Sequence, residues 1–283
     1  MEYVRKGFRR VKNRIVNRPS AVQKRYYLKL RAQLDPLRRP SDSGPNRPVL
    51  MISGITMRGT GIFCNLLAFL RWVDFAQRMG YIPVIDMQNV ENLYLEDELL
   101  GRRFRDVFCV YGLSMGGALA LRMLADNRVH FQYAVIDGGI TPYELPWLVT
   151  RFILLKDLVM TLLGRSSRRL LALAFPPGRY APEMVDEMFR LLRHMPVRGI
   201  WRAYDSTDNY TMPTPFPALD TRIAYWYGSE EKRERKLDIQ YMARHISDVQ
   251  FEEIPGVAHA ELVCTHPKEF ADRFARSAGP EET

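Results

Sequence analysis

Three features of the chain predict an α/β fold: a mostly parallel, doubly wound sheet with a helical cap insertion and a basic helical N-terminal arm. From Pro48 onward, short apolar runs alternate with longer amphipathic ones. Between Thr141 and Pro217 that strand rhythm lapses and apolar helical stretches replace it. Met1 to Arg47 carries fourteen Lys or Arg against Glu2, Asp35 and Asp42. The expected division is residues 1–47 as arm and linker, 48–140 and 218–283 as the sheet domain, and 141–217 as the cap.

In the arm, Val4, Phe8, Val11 and Ile15 recur at helical spacing among arginines and lysines, which describes a short basic amphipathic helix. Tyr26 to Leu34 reads as another helical piece, and Pro36, Pro40, Pro45 and Pro48 with Ser41, Ser43 and Gly44 mark a linker. Val49-Leu50-Met51-Ile52 is the first expected strand. Asn65 to Met79 has helical periodicity and stops at Gly80. Tyr81 to Asp86 is the next strand, made irregular by Pro83, and Leu95 to Phe104 is a further helix. Asp106 to Tyr111 is a strand that gives way to a helix beginning at Gly117. Strands are then expected at Gln132 to Ile136, Thr221 to Tyr227 and Val249 to Ile254, with helices at Asp238 to His245 and Pro267 to Ala275. In the cap, Leu145 to Leu163, Arg168 to Ala174 and Pro182 to Arg193 read as helices, broken by Pro176-Pro177-Gly178 and by Pro196.

Composition narrows the function classes. With 283 residues, 47% of them hydrophobic, the chain can bury a full core. Cys64, Cys109 and Cys264 are too few and too scattered for a disulfide framework or a zinc site, which suits a reducing, cytoplasmic setting. The most apolar stretch, Leu145 to Leu163, is interrupted by Arg151, Lys156 and Asp157, so no membrane span is expected. The first residues lack the apolar run and small-residue cleavage site of a secretory signal. The arm's +11 within a whole-chain charge of +9 leaves the remainder at −2. A basic arm on a near-neutral body suits an acidic membrane surface, and no specific nucleic-acid recognition is expected.

The chemistry centres on Gly112-Leu113-Ser114-Met115-Gly116, where an apolar strand turns into a helix. A serine hydroxyl attacks an acyl carbon when it stands clear of the backbone, beside a base and near donors for an oxyanion. A sharp strand-to-helix turn supplies exposure and free helix N–H groups together, and it requires small residues two before and two after the serine. Ser114 is therefore the candidate nucleophile. Of five histidines, His259 alone follows the final strand, in Pro255-Gly256-Val257-Ala258-His259. Loops at the carboxyl ends of parallel strands share one edge, so His259 can reach Ser114.

The loop Trp226-Tyr227-Gly228-Ser229-Glu230-Glu231, taken with the turn at Ser114 and with Ala134 to Gly139, resembles the α/β-hydrolase superfamily, specifically small esterase- and lipase-like serine hydrolases. The resemblance runs from about Asp106 to Phe274. It implies a catalytic triad whose acid stands three residues after a glycine, the position of Glu231. Glu230 is the nearest rival, and Asp137 is the other contender because some members draw their acid from that strand end. It also implies an oxyanion hole from the N–H of Met115 and one from the loop after the first strand, where Ile55 is the candidate. The superfamily usually has His-Gly in that loop, whereas this chain has Ser53-Gly54. The expected activity is cleavage of an ester or related acyl bond in a small apolar or mixed substrate, with no metal or organic cofactor. Trp147, Phe152, Trp201 and Tyr204 are either pocket walls or ordinary core. Gly80 to Leu99 weakly resembles bacterial glycosyltransferase-like glycan enzymes. That resemblance keeps a glycan-pathway transferase or accessory protein open, alongside a catalytically silent hydrolase-like binding module.

Overall fold

The computed structural model describes residues 49–52, 84–85, 106–127 and 129–278. The expected basic arm, the expected helices at Asn65 to Met79 and Leu95 to Phe104, and Ile55 lie outside the described residues.

Six strands form one sheet. They are β1 (Val49–Ile52), β2 (Val84–Ile85), β3 (Asp106–Leu113), β4 (His130–Asp137), β5 (Arg222–Gly228) and β6 (Gln250–Ile254). Their order is β2-β1-β3-β4-β5-β6, and every neighbouring pair is parallel. Strands buried on both faces read as near-continuous apolar runs, and the described cores of β3, β4 and β5 do so. β1 and β3 to β6 lie within two residues of their expected limits, with β4 longer at both ends, and β2 is described only at Val84–Ile85 of the expected Tyr81 to Asp86.

α1 (Met115–Asp126) follows β3 without a linker beyond Ser114. Its residues are apolar almost all round because it is buried almost all round, and Asn127 closes it in the left-handed conformation at φ 50°. On the other side of the sequence, α8 (Pro267–Ala278) opens on a proline whose missing N–H an α-helix does not need at that position. Phe270 and Phe274, one helical turn apart, meet Tyr111 and Trp226 edge to face, with ring centroids 4.9 Å apart for Tyr111–Phe270 and 6.1 Å for Trp226–Phe270. This aromatic cluster clamps β3 and β5 from one side.

Four helices intervene between β4 and β5: α2 (Trp147–Ser166), α3 (Arg168–Ala174), α4 (Pro182–His194) and α5 (Val197–Asp208). The first three match expectation. α5 departs from expectation: Pro196, which reads in the sequence as a break, stands at the head of a further helix. Beyond β5 come a short 3-10 turn (Ser229–Glu231), α6 (Lys236–His245), and α7 (Glu261–Thr265) after β6.

Candidate active site

The sheet register places the site. Leu113 pairs with Asp137, Asp137 with Trp226, and Gly228 with Ile254, so β3 to β6 end along one edge. Ser114 follows Leu113, Glu231 stands three residues beyond Gly228, and His259 stands five beyond Ile254. Ile52 pairs with Gly112, so the chain also leaves β1 at this edge.

Ser114 has φ 56° and ψ −118°, outside the ordinary range of an L-residue. Its own N–H donates to the Asp137 carbonyl at 2.8 Å, which fixes the turn against the end of β4. The turn is tight enough that a Cβ on Gly112 would sit 2.6 Å from the Gly116 carbonyl oxygen. One on Gly117 would sit 2.6 Å from the Cα of Gly139, so α1 crosses the β4 loop glycine to glycine. Met115, the expected oxyanion donor, is the first residue of α1. A helix leaves its first N–H groups without intrahelical partners, and their partial positive charge falls beside Ser114.

His259 Nδ1 lies 2.6 Å from Glu231 Oε2. The imidazole is 34% exposed and the carboxylate 7%, so the pair is dry on the acid side and open on the other. Burial by itself would raise the Glu231 carboxyl, but His259, Arg235 and the Gly228 N–H overcome it and hold the group below the usual carboxylate range. The Gly228 N–H donates to Glu231 Oε1 at 3.2 Å. Arg235, four residues on, places Nε 3.5 Å from Glu231 Oε2, donates from Nη1 to the Gly138 carbonyl at 3.1 Å, and pairs with Asp238 at 3.2 Å. Asp238 in turn accepts from the N–H and hydroxyl of Thr141.

The other two acids turn elsewhere. Glu230 faces Arg179, 3.6 Å away. Asp137 Oδ2 accepts the Tyr111 hydroxyl at 2.5 Å. Burial pushes the Asp137 carboxyl up to about 7, against the pull of Tyr111 and with help from the Glu231 charge. Tyr111, also buried, is pushed well above its ordinary value and stays a donor.

The His259 loop is held from the helical insertion. The Tyr180 hydroxyl donates to the His259 carbonyl at 2.7 Å, and Arg179 reaches Glu261 at 3.0 Å. Glu261 accepts the Ala258 N–H at 2.8 Å. Gly138, at φ +53°, leaves room for the ring: a Cβ there would sit 2.9 Å from His259 Nδ1 and Cε1. Ala260, at φ 62°, is a second strained residue at the site.

Ser114 and His259 line one cavity of about 570 Å³. Its other walls are mainly apolar side chains of α2 and α3, such as Leu163 and Leu171, with Phe175 just after α3, and Thr161, Tyr204 and Asp157 as the polar exceptions. Of the four aromatics named from the sequence, Tyr204 lines this cavity, its hydroxyl 2.7 Å from Thr161 Oγ1. Trp147, Phe152 and Trp201 are exposed on the insertion and are neither wall nor core. Sequence reasoning missed Tyr111, Arg179, Tyr180 and Arg235. The four-residue spacing from Glu231 to Arg235 was the available signal for the last of these.

A family model described as the alpha/beta hydrolase family matches residues 55–273. That range begins well before Asp106 and takes in Gly80 to Leu99, and no comparison supports a glycosyltransferase-like relation for that stretch. A search of curated proteins finds no match. Among solved structures, MenH from S. aureus superposes with a TM-score of 0.63 at 14% identity, over 85% of this chain and 97% of that one. A putative alpha/beta hydrolase family protein from Desulfitobacterium hafniense gives 0.62 at 16% identity, over 82% and 97%. A carboxylesterase of the thaumarchaeon Nitrososphaera gargenis gives 0.59 at 17% identity, over 84% and 95%. Structures this distant in sequence carry the fold alone. The match over more than half of the sequence, borne on a sheet of the same kind, makes this chain a member of the alpha/beta hydrolase family.

Proposed function

We propose that the chain is a serine hydrolase that cleaves an ester or related acyl bond through Ser114, His259 and Glu231. The observation that carries the reading is the His259 Nδ1 contact with Glu231 at 2.6 Å, on the wall of the same cavity that the strained Ser114 lines. Glu231 fixes the ring so that Nε2 is left to take a proton. Ser114 Oγ attacks the acyl carbon, its proton passes to His259 Nε2, and the oxyanion is met by the N–H of Met115 with Ile55 as the proposed second donor. The imidazolium then protonates the leaving alkoxide. Water, deprotonated by the same ring, releases the acid and restores the serine. No metal or organic cofactor enters these steps. The cavity walls favour an apolar or mixed acyl group.

The test is labelling with a fluorophosphonate probe, read beside hydrolysis of a p-nitrophenyl ester. The purified chain is expected to take up the probe and turn over the ester. Ser114→Ala is expected to lose both while keeping its circular dichroism and unfolding midpoint. Labelling that survives Ser114→Ala overturns the nucleophile. A folded wild-type chain that neither labels nor hydrolyses esters from acetyl to dodecanoyl overturns the activity.

A further inference from the structure

The two helices that wall the cavity carry an apolar face turned outward. α2 buries one side, through Thr150 and Leu154, with Leu158 and Leu162 packed against the core. At the same helical spacing on a flanking side, Leu148, Phe152, Leu155, Val159 and Leu163 form a second apolar stripe that nothing among the described residues covers. Phe152 is 70% exposed, and Trp147, at the head of the helix, is 66% exposed. Isolated apolar residues on a surface need no explanation, but a contiguous stripe five residues long marks a surface that meets something.

The stripe leads to the cavity. Met160, Leu163, Leu170 and Leu173 are exposed and also line the space shared by Ser114 and His259, and Leu173 is 78% exposed. The mouth is thus rimmed by the same face, and whatever occupies the face stands where substrate enters. The two helices carry a net positive charge. Trp147 to Ala174 holds Arg151, Lys156, Arg165, Arg168 and Arg169 against Asp157 alone. Arg151 pairs with Asp205, Lys156 with Asp157 and Arg168 with Asp186, and Lys156 and Arg168 remain well exposed. The Arg151 guanidinium lies over the Trp147 ring, 5.5 Å from its centroid, an arrangement suited to an interface that is apolar on one side and polar on the other. Outside the described residues, Met1 to Arg47 carries +11 in the sequence. No described helix is long and apolar enough to cross a membrane. The charges within α2 fit a helix lying in the plane of the headgroups.

We infer that the outer face of α2 and α3 docks on an anionic lipid surface and admits an acyl-lipid ester from that surface into the Ser114 cavity. The docking follows from the apolar stripe and the surrounding cations. The admission of a lipid ester rests on the serine hydrolase reading above. A membrane is favoured over a protein partner because one occupant then accounts for the apolar stripe, the excess of positive charge and the position of the mouth.

The experiment uses the full chain as Ser114→Ala, so that binding is read without turnover, and sediments it with phosphatidylcholine vesicles with and without phosphatidylglycerol. Binding is expected to require the anionic lipid and to fall about tenfold or more in Leu148→Gln/Phe152→Gln/Leu155→Gln, three exposed positions whose replacement leaves the core intact. In the wild-type background, the same triple variant is expected to keep its rate on p-nitrophenyl acetate and lose rate on a vesicle-embedded ester. Three results overturn the docking. They are no sedimentation, sedimentation unchanged by the triple variant so that the arm alone binds, and a concentration-dependent dimer that the variant dissociates. Lipid binding that depends on the stripe, in a wild-type chain that takes up no fluorophosphonate, keeps the docking and rejects the hydrolase.

Discussion

Ser114 occupies a backbone conformation that most side chains avoid, and the surroundings hold it there: its N–H is fixed to β4, and glycine stands where a Cβ would collide. The three carboxylates nearby are told apart by what each meets. Glu231 meets His259, Asp137 meets Tyr111, and Glu230 meets Arg179. This yields a comparison that separates them. Glu231→Gln keeps the shape but removes the charge that steadies the imidazolium, so ester turnover is expected to fall by about 10²–10⁴-fold. Asp137→Asn still accepts the Tyr111 hydroxyl and is expected to lose less than about tenfold. Equal losses in the two variants would move the acid to Asp137. The places of Ser114 and His259 were legible in the sequence because glycine spacing beside an apolar strand, and a lone histidine after the last strand, are statements about order along the chain. Glu231, the carboxylate that meets His259, was named from the resemblance, three residues after a glycine, and the residues alone left Glu230 and Asp137 open because side-chain direction is not written in chain order.

At the scale of elements, β3 to β5 were legible because parallel strands buried on both faces must be apolar throughout, whereas β6, Gln250–Ile254 and mostly exposed, was legible from the Pro255-Gly256 that ends it. α5 was not, because Gly199 and the run Ser206-Thr207-Asp208 are poor helix formers. Packing overrides that preference: Ile200, Ala203 and Thr207 are buried, and the Ser206 and Thr207 hydroxyls bond back to the Ala203 carbonyl inside the helix. The joint between β5 and the His259 loop is the most sterically demanding contact at the site. A Cβ on Gly228 would fall 2.0 Å from the Val257 carbonyl oxygen, and that neighbour is backbone. Gly228→Ala must therefore push the histidine loop away from the acid turn, and an expected loss of about 3 kcal/mol should appear as a lower urea midpoint together with lost turnover. Gly178→Ala is the control. At φ +98° with open space around it, it is expected to cost only about 1 kcal/mol and to leave turnover unchanged. A Gly228→Ala chain as stable as Gly178→Ala would mean that the two loops are not packed as described.

For the whole molecule, buried carboxyls in two different parts of the fold make stability depend on pH in a direction that is uncommon. Asp137, at the end of β4, is pushed up to about 7 and Asp208, at the end of α5, to about 8, in both cases chiefly by burial; the Asp157 charge adds to the effect at Asp208. Neither Asp208 oxygen has a hydrogen-bond partner among the described residues. In the unfolded chain both groups release their protons near the ordinary value of 3.8, whereas the folded chain keeps them to near neutrality. Between those limits the native state binds more protons, so stability falls as pH rises and levels off above about 8. Glu231 acts oppositely and elsewhere. Its folded value lies below the ordinary 4.5, so the stability it contributes is present above that value and lost only as pH falls through the lower one. The urea midpoint is accordingly expected to be higher at pH 5 than at pH 8. The two aspartates each account for a difference on the order of 2 kcal/mol. Asp208→Asn, neutral at every pH, is expected to remove about half of that fall and to raise the midpoint at pH 8 itself. A wild-type midpoint that climbs from pH 5 to pH 8, or an Asp208→Asn profile parallel to wild type, would show that these carboxyls reach water in the folded state.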